Sequence, residues 1–403
     1  MIIIVAAKLG YQVRIFAEAA QRMGQQVTLI TDRCHQLEDP WGDEAIPLQF
    51  DNPDLASLPA LKADGIIGVG DRPAYIASLI AEHLRIQFHP PIAMERAKDK
   101  FLARNCFADA GLRTPWFQLF NAAENAASVS SVVPYPCVLK PTGLSASRGV
   151  IRANDPVEFA AAFNRIRKLL RAPEVKDDRI LVESFIPGRE YAVEGILCDS
   201  KFQMLAIFDK PDPLDGPFFE ETIYITPSRG SVEIQDLIEA TVVQAAAALG
   251  LTNGPVHSEL RVNGDEAWML EVAGRPIGGL CAQVLKFDGG MSLEELLLRQ
   301  AVQQNVSQFK REQRSAGVMM IPIPNEGILE RVDGVDLAKA VEGVEDVIIT
   351  AKEGYRMIPL PEGSSYLGFI FARAENSNQV DRILRLAHSK LTFSLLPVLP
   401  IVP

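Results

Sequence analysis

The chain has 403 residues, of which 48% are apolar and 23% are charged, and its formal net charge is −11 at pH 7. These values are typical of a globular protein of two or three domains, and the acidic balance argues against nucleic acid as the main partner, because binding to a phosphate backbone needs a basic face. The five cysteines form no Cys-x-x-Cys pair, so we expect reduced thiols in a cytoplasmic protein and no zinc site.

The first 92 residues predict an open parallel sheet with helices packed on it. Lys8 follows the apolar start of the chain almost at once, so we interpret that start as a strand and not as a signal peptide. No apolar run reaches membrane-spanning length. Strands are predicted at 2–6, 26–31, 65–69 and 86–88, and helices at 13–23 and 73–84. The glycines of 65–70 have the wrong spacing for a dinucleotide fingerprint, which argues against nicotinamide binding.

The next segments predict a long helix and a small mobile unit. The helix runs from Ala93 to Ala110 and carries Lys100 near its start. Residues 134–185 predict two strands, a helix and two more strands. In this unit Asp155-Pro156-Val157-Glu158 marks a helix start, with an N-cap residue, a proline at the first position and an acid at the third. Hinged on loops, such a unit can close over a ligand as a lid and exclude water.

Within this lid, residues 136–150 read as a short strand that ends in Lys140, a loop of small residues, and a second strand. Backbone N–H groups and the hydroxyls of Ser145 and Ser147 can close around phosphate oxygens there, while Lys140 and Arg148 supply positive charge. The segment is not a P-loop, because the Gly-x-x-x-x-Gly-Lys-Ser/Thr pattern is absent. Alone, a loop rich in glycine and serine is more often only a connection.

Two further segments are candidates for ligand contact. Residues 180–193 predict a strand, a Pro187-Gly188 turn and another strand, and such a turn can offer backbone groups to an adenine edge and a carboxylate to ribose hydroxyls. Residues 210–222 form an acidic loop with many turn residues. Long loops between strands tend to be functional, so we expect this one to contact substrate.

Two carboxylates twelve positions apart, Glu259 and Glu271, lie on either side of the turn signal Asn263-Gly264-Asp265, which predicts a β-hairpin. Side chains alternate along strands, so both carboxylates share a face only if the turn is odd in length or a bulge intervenes. We predict a turn of three or five residues. Such a pair is repulsive without a cation, and Mg²⁺ would relieve the repulsion. The alternative is an exposed hairpin whose acids pair with Arg261 and Arg275.

Residues from about 310 onward predict a separate α+β unit. Strands are predicted at 317–323, 347–350 and 365–372, with a final helix at 379–388. The apolar tail 391–403 contains three prolines that exclude a regular helix. We expect this tail to pack on a neighbouring surface or on a second subunit.

The order of these motifs resembles that of the ATP-grasp superfamily over about residues 1–300. The motifs that carry the resemblance are Asp99-Lys100, Lys140-Pro141, the segment 183–190, Glu259, Glu271 and Arg275. Residues 363–373 and the helix after them look like the C-terminal domain of L-amino-acid ligases. The resemblance implies an α/β and α+β protein with an ATP-grasp fold. Its expected parts are an N-terminal open parallel α/β domain at 1–92, a central ATP-grasp domain at 93–305 with its lid at 134–185, and a C-terminal α+β domain at 310–403.

The resemblance also implies roles for individual residues. ATP phosphates would be bound by Lys100 and Lys140, with Ser145, Ser147 and Arg148 on the loop that closes over them. Adenine would meet the backbone of Glu183 and Ile186, and Glu190 would bind ribose. Glu259 and Glu271 would hold Mg²⁺, with Mn²⁺ as an alternative ion. Ala273 stands where the family commonly has a third metal ligand, Asn, so water would fill that position.

We therefore expect an ATP-dependent carboxylate–amine ligase that joins amino acids through an acyl phosphate and releases ADP and phosphate. Arg275, Lys140 and Glu271 are the expected catalytic residues, and Arg275 would face the reacting carboxylate. The expected partners are a small carboxylate and an amine, without nucleic acid or membrane, in a cytoplasmic homodimer. The alternatives are a reaction like that of D-alanine ligase or of biotin carboxylase, or a nucleotide-binding regulatory protein that has lost catalysis.

Overall fold

The computed structural model describes residues 1–7, 10–32, 45–172 and 175–398. No helix in these ranges is both long and apolar enough to cross a membrane. Four cysteines, at positions 106, 137, 198 and 281, are free thiols, and Cys34 lies outside the described residues.

The described chain alternates strands and helices. The strands are β1 (Ile2–Ala6), β2 (Val27–Thr31), β3 (Ile46–Pro47), β4 (Gly65–Val69), β5 (Phe117–Asn121), β6 (Cys137–Pro141), β7 (Ile151–Ala153), β8 (Arg179–Ser184), β9 (Arg189–Cys198), β10 (Lys201–Asp209), β11 (Ile223–Thr226), β12 (Gly254–Asn263), β13 (Glu266–Ala273), β14 (Lys286–Phe287), β15 (Met291–Ser292), β16 (Ser315–Ile321), β17 (Gly327–Asp333), β18 (Val344–Ile349), β19 (Arg356–Met357), β20 (Gly368–Ala374) and β21 (Thr392–Leu396). The helices are α1 (Tyr11–Arg22), α2 (Asp71–Leu84), α3 (Pro91–Lys98), α4 (Lys100–Asp109), α5 (Ala126–Ser130), α6 (Pro156–Leu170), α7 (Val232–Leu249), α8 (Leu293–Ala301), α9 (Val335–Lys339) and α10 (Ser377–His388).

The N-terminal strands form the predicted open parallel sheet, in the order β3-β2-β1-β4. Its glycines serve close packing. A Cβ at Gly68 would lie 2.3 Å from the Cα of Ala74 in α2, and one at Gly65 would lie 2.6 Å from the carbonyl oxygen of Ala301 in α8. The strand predicted at 86–88 is absent, since these residues have no regular secondary structure.

The long helix predicted at 93–110 is broken into two at Asp99. The backbone of Asp99 is extended, with φ −105° and ψ 111°, and its side chain accepts hydrogen bonds from the N–H groups of Phe101 and Leu102. Asp99 is therefore an N-cap residue that starts a new helix, and Lys100 is the first residue of α4. The break turns α4 away from the direction of α3, which the prediction of one helix missed.

The lid sheet has the order β5-β8-β6-β7. It includes β5, which precedes the predicted lid boundary at residue 134 and pairs with β8. The predicted start of α6 is confirmed, because the Asp155 side chain accepts hydrogen bonds from the N–H groups of Val157 and Glu158. Asp155 thus supplies the acceptors that a helix start otherwise lacks.

Two segments that are distant from the lid in sequence, residues 361–362 and the 210–222 loop, form hydrogen bonds with it. The N–H of Gly149 donates to the carbonyl of Pro361 at 2.9 Å, and Arg165 binds the carboxylate of Glu362 with two donors, at 2.5 and 2.8 Å. Two residues after Gly149, Ile151 of the edge strand β7 forms an antiparallel bridge with Phe218 of the 210–222 loop. These contacts hold the lid against the rest of the molecule.

The centre of the molecule is an eight-stranded sheet with the order β13-β12-β9-β10-β11-β16-β20-β18. One face packs on α3, α4 and α7, and the other packs towards α1 of the N-terminal unit and towards α8. The strands expected to form a separate C-terminal unit, β16, β18 and β20, continue this sheet. The predicted domain boundaries stay predictions, but the C-terminal segment shares its sheet with the central one.

The β12–β13 hairpin has a two-residue turn, so the predicted turn of three or five residues was wrong. Asn263 pairs with Glu266, which leaves Gly264 and Asp265 in the turn. Further from the turn, Leu260 pairs with Met269, and the next pair is Glu259 with Glu271. Leu270 is therefore an extra residue on β13 that has no partner on β12. A β-bulge therefore brings both carboxylates to one face, which is the alternative that the parity argument had left open.

The described part of the tail is a strand. β21 pairs with β17 in the small sheet β19-β17-β21, so residues 392–396 pack within their own chain. Residues 399–403 lie outside the described residues.

A buried ionic cluster ties the lid to the central sheet. Glu183 of β8 binds Arg104 of α4, with 2.6 Å between its Oε1 and the guanidinium Nε, and its second oxygen contacts the ammonium of Lys140. Arg104 also donates to the carbonyl of Met269 at 2.6 Å. Burial alone would raise the pKa of Glu183, but the two cations outweigh it and hold this pKa at about 2. Glu183 is therefore ionised, and its charge is balanced inside the protein.

We expect Glu183→Gln to lower the free energy of unfolding at pH 7 by about 3–5 kcal/mol, because it leaves two buried cations without their carboxylate. The pKa of Glu183 is depressed by folding, so its stabilising effect is complete above its ordinary value near 4.5 and is lost as the pH falls through about 2. Urea denaturation should therefore show that the gap between wild type and variant narrows from pH 7 to pH 3.

Glu326→Gln is the matched control. Glu326 pairs with Arg356 at the surface, where 46% of the glutamate side chain is exposed, so this change should cost about 1 kcal/mol or less. An equal loss in the two variants, or a gap for Glu183→Gln that does not change with pH, would contradict the assignment.

Candidate active site

A cavity of 980 Å³ lies where the lid, the central sheet and the N-terminal sheet meet. Ten of the eleven residues that the sequence predicted for the site line it. They are Lys100, Lys140, Ser145, Ser147, Glu183, Ile186, Glu190, Glu259, Glu271 and Arg275. The eleventh, Arg148, is not part of the lining, and its Nε donates to the carbonyl of Glu362 at 3.0 Å. The structure thus brings together residues from segments that are up to 175 positions apart in sequence.

The loop after Lys140 has an unusual backbone. Ala146 and Ser147 both have positive φ angles, 55° and 53°, and Gly149 has a φ of 75°. Non-glycine residues in this region are strained by about 1–2 kcal/mol each and tend to occur at functional loops. The strain fits a loop whose N–H groups converge on an anion.

Lys100 connects this loop to the hairpin. Its ammonium donates to the carbonyl of Leu144 at 2.6 Å and lies 3.7 Å from Oε2 of Glu271. Lys140 is held differently, because its ammonium contacts Glu183. Burial and the neighbouring guanidinium of Arg104 lower the pKa of Lys140 against the opposing effect of Glu183. Both lysines face the cavity from opposite sides of the loop.

The carboxylate predicted to bind ribose is part of a buried cluster. Lys210 lies at its centre, with its ammonium 2.8 Å from Glu190 and 3.2 Å from Glu259, and it also contacts Glu221. Glu190 is held from its other side by Arg261, at 2.9 Å. Burial and the charge of Glu259 raise the pKa of Glu221 to about 7 against the effect of Lys210. One ammonium therefore contacts three carboxylates, and Arg261 supplies a second cation to Glu190.

The backbone carbonyl of Ile186, one of the groups predicted to meet adenine, accepts a hydrogen bond from Arg261 at 2.7 Å. Arg261 thus fixes both the carboxylate of Glu190 and the turn that precedes it. The sequence had offered Arg261 only as a partner for the hairpin acids. Its actual partners are on the neighbouring strand β9, in the turn before it, and in the 210–222 loop, where Nη2 donates to the carbonyl of Leu214.

His257 is a bridge between two carboxylates. Its Nδ1 lies 2.5 Å from Glu194 and its Nε2 lies 3.4 Å from Glu259. Burial alone would lower the pKa of His257, but the two carboxylates outweigh it and raise this pKa to about 9. The second oxygen of Glu194 accepts a hydrogen bond from the N–H of Ile277 at 3.2 Å. Glu194 and His257 therefore fix both Glu259 and the segment after Arg275.

The two hairpin carboxylates fit a hard cation. Glu259 and Glu271 lie opposite each other in register and both line the cavity, and carboxylate oxygens are the protein ligands that Mg²⁺ prefers. Within the ranges that the structure describes, the group of three acids close enough to share an ion is Glu190, Glu221 and Glu259, and that group already surrounds Lys210. Glu259 belongs to both sets and contacts Lys210 and His257, whereas Glu271 contacts Lys100 next to the loop that follows Lys140.

Arg275 is oriented by an aspartate from the N-terminal unit. Its Nε donates to Asp71 at 2.6 Å, and its Nη1 donates to the carbonyl of Pro276 at 3.0 Å. Asp71 is the first residue of α2 and follows the C-terminal end of β4. Burial would raise the pKa of Asp71, but Arg275 outweighs it and lowers this pKa. The inner edge of the guanidinium is therefore fixed, and Nη2 is left to face a ligand.

Sequence reasoning missed several charged residues of the site, namely Asp71, Arg104, Glu194, Lys210 and Glu221. Asp71 had a usable signal, since ligands of open α/β sheets bind beyond the carboxyl ends of the strands. Lys210 and Glu221 belong to the loop predicted to contact substrate. Arg104 and Glu194 had no usable sequence signal, because nothing local distinguishes them from other charged residues on a helix or strand.

Comparison with known proteins agrees with this geometry. Residues 133–284 match the ATP-grasp domain family, and residues 319–395 match the family of L-amino acid ligase C-terminal domain 2. Alanine–anticapsin ligase from Bacillus subtilis is 28% identical over 225 residues, which cover 51% of this chain and 47% of that protein. The uncharacterized protein y4rH of Sinorhizobium fredii is 28% identical over 313 residues, 76% of this chain and 63% of that protein. The chain spans about half to two thirds of the length of such relatives.

The fold also matches solved structures over the whole chain. The L-amino acid ligase from Bacillus licheniformis superposes with a TM-score of 0.81 at 24% identity, over 98% of this chain and 99% of that one. At that identity the likeness shows the fold, which is the mixed parallel and antiparallel ATP-grasp fold. Along the chain, the match to the ATP-grasp domain family precedes the match to C-terminal domain 2 of L-amino acid ligases, which is the order that the sequence analysis expected.

Proposed function

We propose that this protein is an ATP-dependent carboxylate–amine ligase that joins two amino acids. The observation that supports this most is the convergence of the strained loop after Lys140, the opposed carboxylates Glu259 and Glu271, and the oriented Arg275 on one cavity. The names of relatives agree, since two of them are an alanine–anticapsin ligase and a dapdiamide A synthase. The cytoplasmic location and the homodimer stay predictions.

The nucleotide would lie between the lid and the central sheet. Lys100, Lys140 and the N–H groups of residues 145–147 would bind the phosphates, since the N–H groups of Arg148 and Gly149 already donate to Ser145 and Pro361. The backbone of residues 183–186 would meet adenine. The side chain of Glu183 is already committed to Arg104 and Lys140, so only its backbone is left for that role. Glu259 and Glu271 would hold Mg²⁺ or Mn²⁺, which neutralises phosphate charge and orients the transferred group.

The reaction has two steps. A carboxylate oxygen of the first substrate forms a bond to the γ-phosphorus as the bond to the β,γ-bridging oxygen breaks, which gives an acyl phosphate and ADP. The amine nitrogen of the second substrate then attacks the carbonyl carbon, and phosphate leaves as the nitrogen loses a proton. Lys140 and Lys100 stabilise the charge of the first step, because phosphoryl transfer depends mainly on positioning and electrostatics.

Arg275 would hold the reacting carboxylate and then the oxyanion of the second step. Its Nη2 would make this contact, and the bonds of Nε and Nη1 to Asp71 and Pro276 lower the cost of ordering the guanidinium. The lid, clasped by residues 361 and 362, would keep water away from the acyl phosphate.

The direct test is a screen of paired amino acids with ATP and Mg²⁺, read as phosphate release and followed by mass spectrometry of the product. A ligase releases ADP and phosphate and yields a dipeptide or a related amide. Phosphate release that needs bicarbonate, or only D-alanine, would support one of the alternative reactions. A protein that binds ATP but shows no turnover with any pair would contradict the proposal.

Glu271→Gln tests the metal assignment. Loss of one anionic ligand should weaken Mn²⁺ binding at least tenfold in the presence of a non-hydrolysable ATP analogue, as measured by calorimetry, and should lower kcat by about 100-fold or more. Glu266→Gln is the control, since Glu266 lies on the same strand and pairs with Arg113 at the surface. Turnover near that of wild type in Glu271→Gln would show that the carboxylate does not hold the ion.

Arg275→Lys tests the carboxylate-binding role. A lysine lacks the planar guanidinium, which binds Asp71 and Pro276 and still presents a further donor to the substrate. We therefore expect kcat/KM for the amino acid to fall about 100-fold while KM for ATP changes less than threefold. Asp71→Asn should produce a smaller loss of the same kind, and the two changes combined should be less than additive, because the residues act as a pair. Equal losses in ATP and amino acid use would contradict this role.

A further inference from the structure

One part of the cavity is lined mainly by aromatic and aliphatic side chains. It is lined by Tyr11 of α1, Val69 at the end of β4, Ile277, and Tyr366 and Phe369 at β20. These residues come from the N-terminal unit, from the segment after the hairpin, and from the C-terminal strands. The residues predicted to bind ATP come instead from the lid and from the neighbouring strands of the central sheet. The cavity therefore has a second compartment.

Three aromatic rings form the wall of this compartment. The rings of Tyr11 and Phe369 meet edge to face, with centroids 6.2 Å apart at 75°. The rings of Tyr366 and Phe369 are 6.3 Å apart. Phe369 is 2% exposed, whereas Tyr11 is 43% exposed. The group is anchored in the core at Phe369 and opens to the cavity at Tyr11, an arrangement that suits an apolar guest.

The floor of the compartment is the backbone of Ile277 and Gly278. Hydrogen bonds fix this segment, and Gly278 has no side chain. The N–H of Ile277 donates to Glu194 at 3.2 Å, and its carbonyl accepts from Gln12 at 3.3 Å. Gly278 follows and lines the cavity, and a Cβ placed there would meet no atom within 4 Å. The space above Gly278 is therefore open because a side chain is absent, while the segment that borders it is fixed.

This compartment lies beside the residue proposed to hold the substrate carboxylate. Gly278 is three residues after Arg275, a span of at most about 10 Å, and Val69 is two residues before Asp71, which binds Arg275. An amino acid whose carboxylate meets Arg275 can thus direct its side chain between the aromatic rings and Gly278.

We infer that the compartment formed by Tyr11, Tyr366, Phe369 and Gly278 binds the side chain of the carboxylate substrate, and that this substrate is an amino acid with a bulky apolar side chain, such as leucine, methionine or phenylalanine. This inference rests on the proposed function and names its substrate class. One methylene in an apolar pocket changes kcat/KM by about 10- to 200-fold, so leucine should exceed glycine by at least 100-fold.

The test measures kcat/KM for glycine, alanine, leucine, methionine, phenylalanine, aspartate and lysine as the carboxylate substrate, with a fixed excess of amine. Gly278→Leu fills the compartment, so it should lower kcat/KM for leucine and phenylalanine at least 30-fold and leave glycine and alanine within threefold. Tyr11→Ala should lower the values for the bulky substrates about tenfold. Tyr355→Ala is the control, because Tyr355 lines the cavity from an exposed loop outside the aromatic group.

Two results would overturn the inference. The first is a wild-type protein that prefers glycine, aspartate or lysine. The second is a Gly278→Leu variant that loses activity equally with small and bulky substrates.

The proposed function can fail separately, by giving no ADP release with any amino acid. In that case calorimetry with a non-hydrolysable ATP analogue and Mg²⁺ decides the matter. Tighter binding of leucine than of glycine that is lost in Gly278→Leu supports the compartment, and no preference overturns it.

Discussion

The balance of charge inside one cavity is the constraint on which the rest of the structure depends. Six carboxylates line the cavity, and each contacts a basic side chain. They are Asp71, Glu183, Glu190, Glu221, Glu259 and Glu271. A buried carboxylate without a partner costs several kcal/mol, so the elements that carry these groups must meet in one arrangement. The carboxylates and their basic partners come from the lid, from α4, from the strands of the central sheet and the segments after them, and, for Asp71, from the N-terminal unit. The same contacts that hold these parts together also orient the groups that face the ligand.

The sequence predicted well whatever depends on local patterns. The strands β1 and β4 and the N-cap of α6 follow from apolar runs and from Asp155 in front of a proline. The hairpin shows the limit of such reasoning. Parity required either an odd turn or a bulge, but only the packing of β12 between β9 and β13 decides between them. Asp99 is an N-cap residue inside a segment that the sequence predicted as one helix. The local pattern did not distinguish it from an ordinary aspartate within a helix.

The site was harder to predict because its electrostatic partners are distant in sequence. Asp71 and Arg275 are 204 positions apart, and Arg104 and Glu183 are 79 apart. No periodicity or motif links such residues. The motif residues themselves were recognisable because strands and short loops carry them in a fixed order. The continuation of the central sheet into β16, β20 and β18 also could not be predicted. Several strands that are neighbours in this sheet are distant in sequence, and the residue pattern of a strand does not indicate which strand it pairs with.

The clasp on the lid has a mechanical consequence. The Pro361 carbonyl and the Glu362 carboxylate hold the lid through Gly149 and Arg165, and the same strand-end segment leads within a few residues to Tyr366 and Phe369. To move away from the rest of the molecule, the lid must break a backbone hydrogen bond and a two-pronged ion pair. Both bonds are made by the segment that leads to the aromatic residues. In the proposed ligase, nucleotide exchange and product release would therefore act on the same backbone segment, and the lid end and the aromatic end of the cavity would open together.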